Sequence, residues 1–172
     1  MVNYPPPETY SVPLFSGRDL TRWDPEPLPP DGQAAFDRFM ALTPAALGPV
    51  SRHVFAYYQD MMRHLDGTGW PGVPLPKIDR AEDVWEHVTP EALSIERATP
   101  KSGPWFVGIE ANVPWEVEHG LWMTWEDGDR IAYVGQVLGH LTNVATYADP
   151  SLEHVVFAGI EGKEFTTYRD TA

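Results

Sequence analysis

The apolar residues of this chain change their period at Pro90, and that change constrains the fold more than any other feature. Before it they recur at helical spacing. Val50, Val54, Tyr57, Met61 and Leu65 form one stripe of an amphipathic helix expected over Pro49 to Leu65, with proline in its first turn and Asp66-Gly67 as its stop. Asp31 is placed to cap an earlier helix through Phe36, Phe39, Met40 and Leu42, and Asp79 with Glu82 to cap a short one through Val84, Trp85 and Val88. After Pro90 the period becomes two. Leu93–Glu96, Trp105–Glu110, Leu121–Glu126 and Ile131–Val134 read as strands, with Asp127-Gly128 as a hairpin turn and Gly103-Pro104 as a connection. Val155–Ile160 reads as a further strand or a helix end. Helices first and strands second predict an α+β fold, with N-terminal helices packed on one face of an antiparallel meander of about four to six strands.

The first 30 residues concentrate prolines: Pro5 to Pro7, Pro13, Pro25, Pro27, Pro29 and Pro30. Without backbone donors at these positions, residues 1–30 are expected to form an extended, irregular arm on a single domain of residues 31–172. Within the arm, Tyr10–Phe15 has the pattern of an edge strand, and Trp23 is placed to pin the arm to the body.

The chain holds 12 Lys and Arg against 25 Asp and Glu, a formal charge of −13. Such a surface repels phosphate backbones and anionic lipids, so neither nucleic acid nor a membrane is expected as partner; a basic protein, or no macromolecular partner at all, is more compatible. The absence of cysteine excludes disulfides, thiolate nucleophiles and cysteine-based zinc sites. Met1–Tyr10 has neither a basic start nor an apolar run, and no segment reaches the roughly 20 apolar residues of a membrane helix, so a cytoplasmic location is expected.

From Gly103 to Asp129 there is no Lys or Arg, while six acids and four of the seven tryptophans crowd into the stretch. At its centre is Trp115-Glu-Val-Glu-His-Gly-Leu121. Strand alternation would put Glu116 and Glu118 on one face about 7 Å apart, with Trp115, Val117 and His119 on the other. That spacing suits the carboxylate pair of an inverting glycosidase, but any E-x-E strand provides it, and two solvated acids are the simpler expectation. Gly120 permits a bend, at which Glu118 would accept a backbone N–H or hold His119; a structural role there outweighs a catalytic one. Trp122 breaks the alternation of Leu121, Met123 and Trp125, so it is expected at the surface as a contact anchor.

The six histidines show no metal-binding spacing, and nothing in the spacing argues for a cation site assembled from Glu116, His119 and His140. Asp83 and His87 stand four apart, in reach of each other on a helix. Nucleophile-elbow, phosphate-loop and dinucleotide motifs are absent, and neither a metal nor a cofactor is expected.

The helix ending in Tyr57-Tyr58, the Asp83-Val84-Trp85 segment, the Trp115–Leu121 hairpin and Val134-Gly135 together resemble a family of uncharacterised bacterial domains. That family is marked by a W-(D/E)-x-E-H-G-L hairpin and a V-G ending. The resemblance covers roughly Asp31 to Gly139, and its motif positions are Trp115, Glu118, His119 and Gly120; Glu116 stands where Asp is frequent. It implies an α+β fold in a bacterial cytoplasm, and some members resemble immunity proteins that neutralise toxins. The reading that results is a non-enzymatic protein-binding module, such as an immunity-type inhibitor of a basic toxin, contacting its partner through Trp115, Glu116, Glu118, His119 and Trp122. The alternatives are a small hydrolase or ligand-binding domain using Glu116, Glu118 and His119, and a groove for a flat ligand lined by exposed rings such as Trp122 and Trp70.

Overall fold

A computed structural model describes residues 5–23, 25–160 and 163–170. The first four residues of the proline-rich segment and the last two of the C-terminal tail lie outside them. The element order is β1 (Glu8–Val12), β2 (Arg18–Arg22), α1 (Pro30–Met40), α2 (Leu47–His64), β3 (Thr89–Arg97), β4 (Trp105–Val113), β5 (Glu116–Glu126), β6 (Arg130–Gly135), α3 (Asn143–Tyr147), β7 (Val155–Phe157) and β8 (Thr167–Tyr168). The class is α+β, as the change of period implies. Strands β1 to β6 form one sheet in chain order, antiparallel throughout except for the parallel step from β2 to β3, while β7 and β8 pair separately.

The helical stripe packs as its spacing requires: Val50, Val54, Tyr57 and Met61 of α2 are buried in one core with Leu93, Val107, Ile109, Leu121, Met123 and Trp125 of the sheet. Asp31 does not cap α1. The helix starts on Pro30, and Asp31 sits in the first turn, accepting the Gly32 N–H at 3.1 Å. The segment Ala81–His87 is a 3-10 helix without a side-chain cap, and Asp83 pairs with Arg80 at 2.8 Å, so its expected partner His87 is not the one it takes.

The proline-rich segment is more ordered than its composition suggests. Its prolines flank a β1–β2 hairpin or, at Pro13, open its turn, so none interrupts a strand, and Val12, Leu14 and Leu20 are fully buried. Ser16 and Gly17 turn the chain with φ of 57° and 78°. The expected edge strand is therefore present, with a second strand beside it.

Trp122 corrects the expected surface anchor. It is only 8% exposed, and its indole N–H donates to the His140 carbonyl at 2.9 Å. It points away from the helices, onto the other face of the sheet, and lies over Gly108: a Cβ there would come within 2.1 Å of the ring. A glycine in mid-strand makes the room that a flat indole fills. Gly128 at the β5–β6 turn is equally constrained, with φ of 89° and the Ala35 carbonyl where a Cβ would stand. No helix among the described residues is long and apolar enough to cross a membrane.

The C-terminal strands are tied to α2 by His53, which is 1% exposed. Its Nδ1 lies 2.7 Å from the Thr167 hydroxyl and its Nε2 accepts from Arg52, an arrangement that suits the neutral ring. Burial, helped by the neighbouring Arg52 charge, lowers its pKa to about 4. The unfolded chain, with an ordinary histidine, binds the proton first as pH falls. Stability is therefore expected to decline from about pH 6.5 towards pH 4 with a slope of up to about 1.4 kcal/mol per pH unit from this group. Urea titrations across that range check it: His53→Gln should remove this part of the slope. Gly108→Ala is expected to cost about 1–3 kcal/mol in the same measurement, and less in a Trp122→Leu background, because the clash is with that ring.

Candidate functional site

The Trp115–Leu121 segment is a bend, not a regular strand. Val113 pairs with Glu116 and Ala111 with Leu121, so four residues, 117–120, bulge out opposite Asn112. Pro114 and Trp115 form the turn. Both Trp115 and Glu116 are buried, at 0% and 2% exposure, whereas Val117, Glu118 and His119 are exposed. The expected pairing of Glu116 with Glu118 on one face is thus lost, because two-residue alternation does not survive the bulge. Gly120 makes the bulge possible: it has φ of 63°, and a Cβ would fall 2.8 Å from the Ala111 carbonyl. The bend foreseen at Gly120 is present, but Glu116 rather than Glu118 holds it.

Glu116 Oε1 accepts the backbone N–H of Glu118 at 2.9 Å and of His119 at 3.1 Å. Its Oε2 accepts from Gln136 Nε2 at 2.8 Å and lies 3.6 Å from His119 Nδ1. One buried carboxylate thus satisfies two backbone donors that the bulge removes from the ladder, which is what a buried charge needs to persist. Surrounding elements lock onto the same bend. Tyr57 donates its hydroxyl to the Gly120 carbonyl at 3.0 Å, Trp70 its indole N–H to the Trp115 carbonyl at 3.0 Å, and Val137 its N–H to the His119 carbonyl at 3.2 Å. Burial, and then the Glu116 charge, raise the Tyr57 hydroxyl well above its ordinary range, so it remains a donor. Trp115 packs edge-on against Tyr58 with ring centres 5.4 Å apart.

Trp115 and Glu116 are therefore interior supports, and Trp70 is tied to the bend instead of offering a stacking face with Trp122. Only Glu118 and His119 of the five expected contact residues reach solvent. Ligand atoms of Glu116, Glu118 and His119 come within 4.8 Å of one another, so Glu118 rather than His140 completes the grouping that could hold a cation. A cation there would compete with the N–H donors already on Glu116.

A further concave surface lies elsewhere, and nothing in the sequence pattern points to it as a whole. It is a groove of about 870 Å³ between a wall of Arg22, Trp23 and Glu26–Pro29 and the strand β3, floored by the sheet face that carries Trp122. Trp23, 69% exposed, stands at it, with Trp105. Glu26, Glu96 and Glu110 line it and take part in no ion pair among the described residues. The two arginines of the wall are already engaged, Arg22 with the Glu26 carbonyl at 2.8 Å and Arg97 with Asp31 at 3.4 Å. Arg97 also lies 5.7 Å above the Trp105 ring. Its one sequence signal was Trp23 beside the prolines; the paired strands that frame it are far apart in the chain.

Replacing Glu116 by Ala strands three donors and is expected to cost about 2–4 kcal/mol in denaturant unfolding. Glu118→Ala and His119→Ala, whose side chains are exposed, should each stay within about 0.5 kcal/mol of the parent. Equal costs at all three positions would contradict this division of roles.

A family model described as Domain of unknown function (DUF6985) matches residues 5–141. The match begins at the β1–β2 hairpin, so it takes in the segment that the sequence resemblance had left outside. No curated protein and no solved structure matches the chain. With most of its length covered by that model, the chain belongs to the DUF6985 family.

Proposed function

We propose that this chain is a non-enzymatic protein-binding module that recognises a basic partner, in the manner of an immunity-type inhibitor of a basic toxin. The observation that carries this reading is the groove, where three glutamates without ion-pair partners among the described residues lie beside tryptophan rings. Unpaired acids attract cations at long range, and aromatic rings supply contact area at low entropic cost. The net charge of −13 acts in the same direction by speeding encounter with a basic surface.

The hydrolase reading is weaker on the same geometry. Glu116 would have to release the N–H groups of Glu118 and His119 before it could move a proton, and that would undo the bend. Glu118 and His119 stand on an exposed bulge, not in a cavity that excludes water.

The test is capture of a partner from lysate of the source cell, followed by binding kinetics on the isolated protein at rising ionic strength. One basic protein is expected, with an association rate that falls at least tenfold between low and physiological salt. Glu96→Lys should slow it further. Association indifferent to salt, or nothing retained, would count against the proposal.

A further inference from the structure

Among the described residues β3 meets β2 at one pairing, Thr21 with Ala92, and the edge of β3 beyond it is unpaired; the proline-rich stretch Pro25–Pro30 follows in the chain. Proline has no N–H to offer a ladder, so this stretch does not continue the sheet. The groove is the gap that results, with Ala92–Arg97 on one side and Arg22, Trp23 and Glu26–Pro29 on the other.

The direction of the β3 backbone groups follows from two bonds at the end of the β3–β4 hairpin. Ala98 N–H donates to the Pro104 carbonyl at 3.0 Å, and Asp127 N–H donates to the Trp105 carbonyl. Position 104 thus faces β3 and position 105 faces β5. Antiparallel alternation then turns the backbone groups of Ser94 and Glu96 towards β4, and those of Ile95 and Arg97 away from it, into the groove. Among the described residues no backbone group is bonded to Ile95 from that side. An open edge of this kind is a template for an added strand, and natural sheets normally cover or charge it.

We infer that an extended segment of a partner protein, with Lys or Arg at alternate positions, adds to the edge of β3 at residues 93–97. This inference rests on the protein-binding reading and specifies its partner. Register sets the chemistry. Ser94 and Glu96 of β3, Glu110 of β4 and Trp122 of β5 share the face away from the helices. Alternate side chains of the added strand lie over that face and meet Glu96 and Glu110, both exposed, while Glu26 faces them from the opposite wall. Among the described residues Glu96 Oε1 accepts from the neighbouring Ser94 hydroxyl at 2.7 Å and no cationic side chain pairs with it. Five residues of strand span about 17 Å, and a groove of this volume falls in the range of formed binding sites.

The probes are three synthetic decapeptides. One alternates valine and lysine, one alternates valine and glutamate, and the third is the lysine peptide N-methylated at every second residue on the edge that would pair. Binding is read by tryptophan fluorescence and by the amide resonances of Ile95 and Arg97. The lysine peptide is expected to bind, to shift and protect those two amides, and to lose at least tenfold in affinity on N-methylation. Glu96→Lys with Glu110→Lys, at exposed positions that leave the fold intact, should lose at least tenfold as well. Equal binding of the methylated peptide would overturn strand addition while leaving an acidic protein-binding surface. Binding of the glutamate peptide would overturn the charge assignment. No binding by any peptide would overturn the inference, and the lysate capture separately decides whether the chain binds a protein at all.

Discussion

The buried carboxylate of Glu116 is the interaction on which the rest of the molecule depends. It replaces the ladder bonds that the bulge at residues 117–120 gives up, and so fixes the shape of the bend. The bend in turn presents the Gly120, Trp115 and His119 carbonyls to Tyr57 of α2, to Trp70 and to Val137. Helix, loop and sheet are thus registered against one another through a few backbone oxygens whose positions one side chain sets. A buried charge is tolerable here because both oxygens are bonded, and removal of the charge leaves its donors stranded. On this view the W-E-x-E-H-G-L segment is a structural joint, and its sequence is demanding because several elements meet at it.

The second organising constraint is proline. Residues 8–22 join the sheet between prolines on either side, and the prolines from Pro25 onward have no N–H with which to extend β2 along β3. The same residues therefore build the sheet and leave part of it open. The opening falls where Trp23, Trp105 and three glutamates, Glu26, Glu96 and Glu110, gather.

The architecture was legible because hydrophobic period is a local signal. Val50 to Met61 declared a helix face, and Trp105–Val107–Ile109 with Leu121–Met123–Trp125 declared strand faces. The site was less legible because its geometry depends on breaks in period. Glu116 and Glu118 look equivalent in sequence; only the left-handed Gly120 and the bond from Oε1 to two successive N–H groups separate a buried support from an exposed acid. Trp122 is out of phase with Leu121, Met123 and Trp125, which reads as exposure in the sequence, but it is buried on the second face by Gly108 and the His140 carbonyl, both distant in the chain. The groove was invisible because it is made by two segments about 70 positions apart that separate after a single bridge.

Residue-resolved amide hydrogen exchange on the free protein tests the central claim most directly, that the motif is a joint and the β3 edge is the open surface. The account predicts strong protection at Glu118 and His119, whose N–H groups are held by Glu116, and fast exchange at Ile95 and Arg97. Fast exchange at Glu118 and His119 with protection at Ile95 would contradict it, by showing a mobile motif and an edge already covered.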